Sequence, residues 1–325
     1  MNSPAPACDV IVGGAGPAGA TLARLLALRG LDVVLVDPGR RVTNRLEMVA
    51  PSSLSVFAAA GVAALLDDPA IALPCLGIRR RWGRAETQAD EFLRHPGGRG
   101  FTVDRSAFDR ALRSMAEVAG AAAITGRLCG ASRTRGRTLC RIATGSGVRS
   151  ISARIAVDAT GRSAALARRM GARHILHERL IASLHSRRAT GDAHPWLCVD
   201  DDIDGWTYSL NGPGRQREIW RVSRRTVGGG IRVNASAARL SDAAGAGWIA
   251  IGDAACAFDP IASQGLFHAI STALVAAGII LSAEGLTVET GSLYAGAVHA
   301  TFAHSERGRA AVYRASKRSG APIAV

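Results

Sequence analysis

Three separate stretches of this chain carry glycine and aspartate at spacings that suit a bound nucleotide. In the first, Gly13-Gly14-Ala15-Gly16-Pro17-Ala18-Gly19 follows a short apolar run, Asp9 to Val12, and precedes a stretch with helical apolar spacing, Ala20 to Arg29. Gly30 ends that stretch, and Val33 to Val36 lead to Asp37. Strand, glycine loop, helix, strand and acid thus occur in order. Gly14 permits a tight turn, Gly16 lets a pyrophosphate approach the backbone, and Gly19 lets helix and strand pack closely. The helix start offers N–H groups and the positive end of its dipole to phosphates. Asp37 stands where an acid accepts hydrogen bonds from ribose hydroxyls. This motif alone does not separate NAD from FAD.

The second stretch is a predicted strand from Trp248 that ends in Gly252-Asp253. It is followed by Phe258-Asp259-Pro260-Ile261-Ala262-Ser263-Gln264-Gly265-Leu266 and a long apolar helix. A helix beginning at Gln264–Leu266 would direct a positive dipole end at whatever lies along the turn. The third stretch, Ile155 to Arg162, is another strand that ends in acid and glycine, Asp158 and Gly161. Upstream of it, Val103-Asp104-Arg105 opens a predicted helix that runs to about Ala119.

Together these stretches resemble, in order, the flavin fingerprints of the p-hydroxybenzoate hydroxylase superfamily. The resemblance runs from Asp9 to about Ser316. It implies noncovalent FAD held by Gly14, Gly16, Gly19, Asp37, Arg45, Arg105, Asp158, Gly161, Gly252, Asp253, Pro260, Gln264, Gly265 and Leu266. The aspartate of the Gly252-Asp253 pair would bind the ribityl chain, and the Pro260–Leu266 turn would lie along the isoalloxazine, its helix dipole stabilising reduced flavin. Arg45, Pro260 and Gln264 would shape the reaction site, and no side chain need be a nucleophile. The segment Asn44-Arg45-Leu46-Glu47-Met48-Val49-Ala50-Pro51 is similar to one found in the halogenase-like and tryptophylquinone-cofactor-forming branch. The block Asp204 to Ser209 resembles a substrate-sheet strand of that branch, with Trp206 and Tyr208 on one face. Halogenation itself is not expected: no Trp-x-Trp occurs, and the only lysine, Lys317, lies beyond the fingerprints.

The bulk properties are compatible with this reading. The 325 residues are 48% apolar, enough for a full core and for two lobes. The predicted class is α/β (α+β), a Rossmann-like FAD-binding domain with an inserted substrate-binding sheet domain. The flavin lobe would comprise 1–73, 100–170 and 240–325, and the substrate lobe 74–99 and 171–239. Residues Trp220 to Ile231 depart from the family, which usually has further strands there.

The formal charge of +14 is nearly all arginine; the best local cluster is Ile78-Arg79-Arg80-Arg81-Trp82, no run of five or more basic residues occurs, and no nucleic acid is expected. Six cysteines form no CxxC pair, and His174 and His177, three apart, have no nearby Asp or Cys ligand, so no metal is expected. No stretch is long and apolar enough to span a bilayer, and the chain reads as cytoplasmic. The expected activity is NAD(P)H-dependent hydroxylation of an electron-rich aromatic ring through a flavin C4a-hydroperoxide. The substrate would be an aromatic, foremost a tryptophan on a partner protein. The alternatives are a free aromatic acid, a flavin reductase of the geranylgeranyl-reductase kind, and a non-catalytic binding scaffold.

Overall fold

The computed structural model describes residues 5–39, 45–83, 86–189, 194–225 and 230–316. Asn44, Thr226–Gly229 of the Trp220–Ile231 zone, and Lys317 lie outside the described residues. The β-branched run of strand Ala7–Gly13 forms the centre of an eight-stranded sheet, paired in parallel with Val33–Asp37 on one side and Gly147–Asp158 on the other. Ala122–Thr125 and Trp248–Ala250 extend the parallel core outward. The hairpin strands Arg127–Thr134 and Arg137–Thr144 add antiparallel pairing to the side of Gly147–Asp158. Parallel strands buried on both faces need continuous apolar sequence, which Val10-Ile11-Val12 and Val33–Val36 supply.

Among the described residues five α-helices accompany the strands: α1 (Pro17–Ala27), α2 (Leu54–Ala59), α3 (Arg105–Val118), α4 (Gly265–Leu281) and α5 (Val288–Ala315). α1 packs against both α3 and α4. Asp104 caps α3 by accepting from the amides of Ser106 and Ala107, at 2.8 and 3.0 Å. Thr287 and Thr290 form a reciprocal capping box at the start of α5. α1 and α4 begin without a side-chain cap.

A second sheet of seven strands runs in the order Arg232–Asn234, Ile181–Ala189, Gln216–Ser223, Gly205–Gly212, Trp196–Asp202, Gly77–Arg81, Gln88–Glu91. It is antiparallel except where Trp196–Asp202 meets Gly77–Arg81. Two strands therefore flank the departing zone: Gln216–Ser223 contributes the buried Trp220 to the core, and Arg232–Asn234 forms the sheet edge. His174 and His177 fall on a strand, separated by Ile175 and Leu176, and not on a helix where i and i+3 share a face. No group of three potential metal ligands occurs among the described residues. Among them also, no helix is long and apolar enough to cross a membrane.

Leu46–Val49, Gly100–Asp104 and Ala72–Cys75 make a small sheet between the two large ones. Beside apolar packing of Leu46 and Met48 on the seven-stranded sheet, one polar tie to it is Glu218. This carboxylate is 1% exposed; it accepts from the Leu46 amide at 3.0 Å and the Trp220 indole N–H at 2.8 Å, and pairs with Arg187 at 2.7 Å. Replacing it strands two buried donors, each costing roughly 1–3 kcal/mol. Glu218→Ala is expected to lower stability by about 3 kcal/mol in denaturant titration. A loss below about 0.5 kcal/mol would show that this tie does not hold the sheets together.

Candidate functional site

The C-terminal ends of the parallel strands bring the glycine and acid motifs to one edge. Gly13 is in register with Asp158, and Asp158 with Ala250, so the loops that follow them lie side by side. In open α/β sheets this is the edge that takes ligands. Gly14 has φ +101°, and a Cβ there would sit 2.2 Å from the Ala159 carbonyl oxygen. A Cβ on Gly19 would meet the Gly14 carbonyl oxygen at 1.9 Å. Gly16 differs: its backbone is extended and nothing lies within 4 Å of the Cβ position. The first two glycines are required by the protein's own packing, whereas Gly16 faces open space at the uncapped start of α1. Those features fit an approaching pyrophosphate.

Asp37 ends its strand beside this loop, accepting from the amides of Ala15 at 3.0 Å and Gly39 at 2.9 Å. Arg113, on α3, donates to the Ala15 carbonyl at 2.7 Å and stands 4.0 Å from Asp37. Sequence reading did not single out Arg113. Its signal was its place eight residues after Arg105, on the same helix face.

Asp158 has another task than the one expected of it. It is fully buried, and its two oxygens accept from Thr160 N–H and Oγ1–H and from the amides of Leu166 and Ala167, at 2.6 to 2.9 Å. Burial raises its carboxyl pKa, and these donors pull the other way. The acid folds the loop after its strand and presents no free oxygen edge to a nucleotide. Gly161, at φ +64°, lies within that same loop.

Arg105 is likewise engaged within the protein. It pairs with Asp109 at 2.9 Å and with Glu47 at 2.7 Å, and is 8% exposed. Burial disfavours its charge, but Glu47 and Asp109 outweigh that and hold it protonated. Arg45 reaches the same Glu47 oxygen at 2.6 Å. Burial alone would raise the Glu47 carboxyl, yet Arg105 and Arg45 hold it below its ordinary value. Glu47 is the hub of this cluster; its signal was its place in the Arg45–Pro51 segment. Near it, α4 begins at Gly265, whose Cβ position is 4.0 Å from Glu47 Oε2.

Between the seven-stranded sheet and the Asp259–Leu266 turn lies a cavity of about 610 Å³. Arg45, Asp253, Pro260, Gln264, Gly265 and Leu266, all expected in the site, border it. Asp253 pairs with Arg162 at 3.3 Å, and Arg162 also binds the carbonyls of Ser236 and Phe258. Gly252, at φ +57°, turns the chain ahead of Asp253 and donates to Thr272 Oγ1 at 2.8 Å. Within the turn Asp259 Oδ1 accepts from Ile261, and Ser263 adopts a left-handed conformation, φ +48°. A non-glycine residue held there costs energy that the surrounding turn must repay.

The opposite wall is apolar and aromatic. Trp206 and Tyr208 project to one face, ring centroids 5.6 Å apart, and Trp82 meets Trp206 edge-on at 6.3 Å. The end of α5 closes over them. Trp82 Nε1 donates to the Val312 carbonyl at 2.8 Å, and Trp206 Nε1 to the Tyr313 hydroxyl at 2.9 Å. Tyr313 in turn donates to Asp259 Oδ2 at 2.9 Å. Sequence reading missed Tyr313 and Asp259, because only the folded chain brings residues 54 apart into one hydrogen-bonded group.

The chain was compared with known proteins. A profile described as the FAD binding domain matches residues 7–214. No curated protein sequence matches the chain. Among solved structures, QhpG, a peptidyl tryptophan dihydroxylase essential for tryptophylquinone cofactor biogenesis, superposes with a TM-score of 0.77 at 23% identity, over 97% of this chain and 77% of QhpG. A geranylgeranyl bacteriochlorophyll reductase-like protein from Thermoplasma acidophilum gives 0.81 at 18% identity, over 97% of this chain and 89% of its own. The flavin-dependent brominase Bmp2 gives 0.74 at 17%, over 94% and 85%. At these identities the likeness is one of fold.

The contrast between the glycines is testable. Gly19→Ala is expected to destabilise the protein by about 2 kcal/mol through overpacking. Gly16→Ala should keep the thermal midpoint of the parent and weaken FAD binding roughly tenfold, as read by flavin fluorescence titration. Equal FAD affinity in Gly16→Ala and parent would remove the pyrophosphate from this loop.

Proposed function

The chain belongs to the FAD-binding domain family, within the p-hydroxybenzoate hydroxylase superfamily, and from that premise we propose that it is an NAD(P)H-dependent hydroxylase of an electron-rich aromatic ring. The observation that carries the proposal is the cavity itself. Its far wall is aromatic, its near wall is the Pro260–Leu266 turn, and the uncapped start of α4 opens between them. A ring stacked along Trp206 and Tyr208 would lie opposite that turn.

FAD, when bound, supplies the redox and oxygen chemistry of such a reaction. The residues fitted to hold it are Gly14, Gly16 and Gly19 with the start of α1, then Asp37, Asp253 and the Pro260–Leu266 turn. The chain's own work is to position and to exclude. The amides at the start of α4 stabilise negative charge at the turn. Arg45 and Glu47 place a balanced ion pair at the cavity's edge, so polarity is available there without net charge. The apolar wall and the end of α5 keep water from the reacting centre.

For the substrate we propose a tryptophan carried on a partner protein. The support is the fold likeness to QhpG, which acts on peptidyl tryptophan, and the charge of +14, which favours docking of an acidic polypeptide. A nicotinamide reductant and a cytoplasmic setting belong to the same proposal.

Oxygen uptake tests it. With FAD-loaded protein, NADH or NADPH, and a tryptophan-bearing peptide or a free aromatic acid, the expected result is oxygen consumption coupled to nicotinamide oxidation, with oxygen gained by the aromatic in mass spectra. Nicotinamide oxidation that saturates an isoprenoid double bond without oxygen uptake would establish a reductase in its place.

A further inference from the structure

Asp259 is set apart from the other acids of the cavity by its partners. Glu47 faces Arg45 and Arg105, and Asp253 faces Arg162, so each carries a matched counter-charge. Asp259 borders the same cavity, is 2% exposed, and is bonded to neutral donors alone: the Ile261 amide on Oδ1 and the Tyr313 hydroxyl on Oδ2. Each oxygen keeps a further lone pair. Tyr313 is fixed from its other side by the Trp206 indole N–H, and Trp206 belongs to the aromatic wall.

We propose that Asp259 is the base of the cavity, accepting the proton of a ring N–H or O–H on the aromatic substrate, and that Tyr313 is its positioning residue. This rests on the hydroxylase reading. In the step, a ring carbon bonds to the oxygen that dioxygen and the nicotinamide reductant supply, the other oxygen leaving as water. As that bond forms, the substrate X–H bond breaks, its electron pair remains with the ring, and the proton passes to the carboxylate, so Asp259 is neutralised and the ring is spared a full positive charge at X. The proton transfer itself moves no electron between the two, and the ring is the stronger nucleophile for having a base at its X–H.

The surroundings are suited to this. Burial pushes the Asp259 carboxyl up to about 6, while the Ile261 amide and Tyr313 hydroxyl restrain the rise. A base is most effective when its pKa lies near the working pH. The charged groups that face it are Arg309 and Glu306 on α5, acting in opposite senses, and Arg162 at the preceding Phe258 carbonyl. Arg309 also lies over the Tyr313 ring, 5.7 Å from its centroid.

Binding of indole and of N-methylindole to the FAD-loaded protein, without reductant, tests the assignment, since neither probe titrates in the range of interest. Indole is expected to bind roughly tenfold more tightly above the Asp259 transition than below it, the effect of one hydrogen bond to a charged acceptor. N-methylindole, lacking the donor, should show no such step. Asp259→Asn should abolish the step. Tyr313→Phe removes a donor that favours the carboxylate, so the step should move to higher pH. Retained flavin absorbance establishes that each variant is folded. The assignment falls if the wild type binds neither probe or shows no step specific to indole, or if the step survives in Asp259→Asn or stays in place in Tyr313→Phe. Oxygen uptake is measured separately, so the base can fail while the hydroxylase reading stands.

Discussion

The architecture turns on backbone N–H groups at two helix starts. An α-helix leaves its first four amides without intrahelical partners, and some other group must meet them. In α3 and α5 the chain does this itself, with Asp104 and with the Thr287–Thr290 box. α2, which continues the turn Pro51–Ser53, has no side-chain cap either, and in α1 and α4 the chain again supplies none. These are the two helices that start at the motif loops, one at the glycine turn and the other at the cavity. A long flavin nucleotide, anionic at its pyrophosphate and acquiring negative charge at its ring on reduction, matches donors placed at both points. The parallel sheet makes the arrangement possible. Its strands end at a common edge, and α1 and α4 pack against each other over it.

A second constraint is charge balance where the layers meet. Two arginines converge on Glu47, and Asp109 takes the remaining face of Arg105. Any one of these ions, buried alone, would cost several kcal/mol. As a set they neutralise one another and fix the strand Leu46–Val49 at the cavity's edge. Glu218 reaches the same strand from behind through the Leu46 amide. The segment that carries Arg45 is thus held from both sides, by ion pairs in front and by a buried hydrogen bond at its back.

How much of this could be read from sequence depends on the range of the interactions involved. The glycine turn was legible because its requirements are local: a left-handed residue at Gly14 and a close contact at Gly19 involve nearby backbone. The parallel sheet and the turn before α4 were legible for similar reasons. Asp158 was not. An acid at a strand's end can meet a ligand or its own following loop, and spacing does not separate the two; four protein donors decide it. Arg105 shows the same ambiguity, resolved here by Asp109 and Glu47 within the described structure. Glu218, Trp82 and Tyr313 carried no signal at all. Each acts across a long stretch of chain, through contacts that exist only once both sheets and α5 are assembled.

The fold itself does not choose between oxygen transfer and simple reduction, because proteins described as a dihydroxylase, a brominase and a reductase-like protein all superpose on this chain. The lining of the cavity opposite the Pro260–Leu266 turn is where this chain's own residues bear on that choice. In this chain that lining is not uniformly greasy, as a long isoprenoid would favour. Among its aliphatic residues stands a short aromatic wall, and one of that wall's polar tips is linked to a buried carboxyl: Trp206 through its N–H to Tyr313, and Tyr313 through its hydroxyl to Asp259. Burying such a chain costs desolvation that an apolar wall would avoid. The cost is consistent with a compact substrate that has both a π-face to stack and a proton to share, and an indole ring has both.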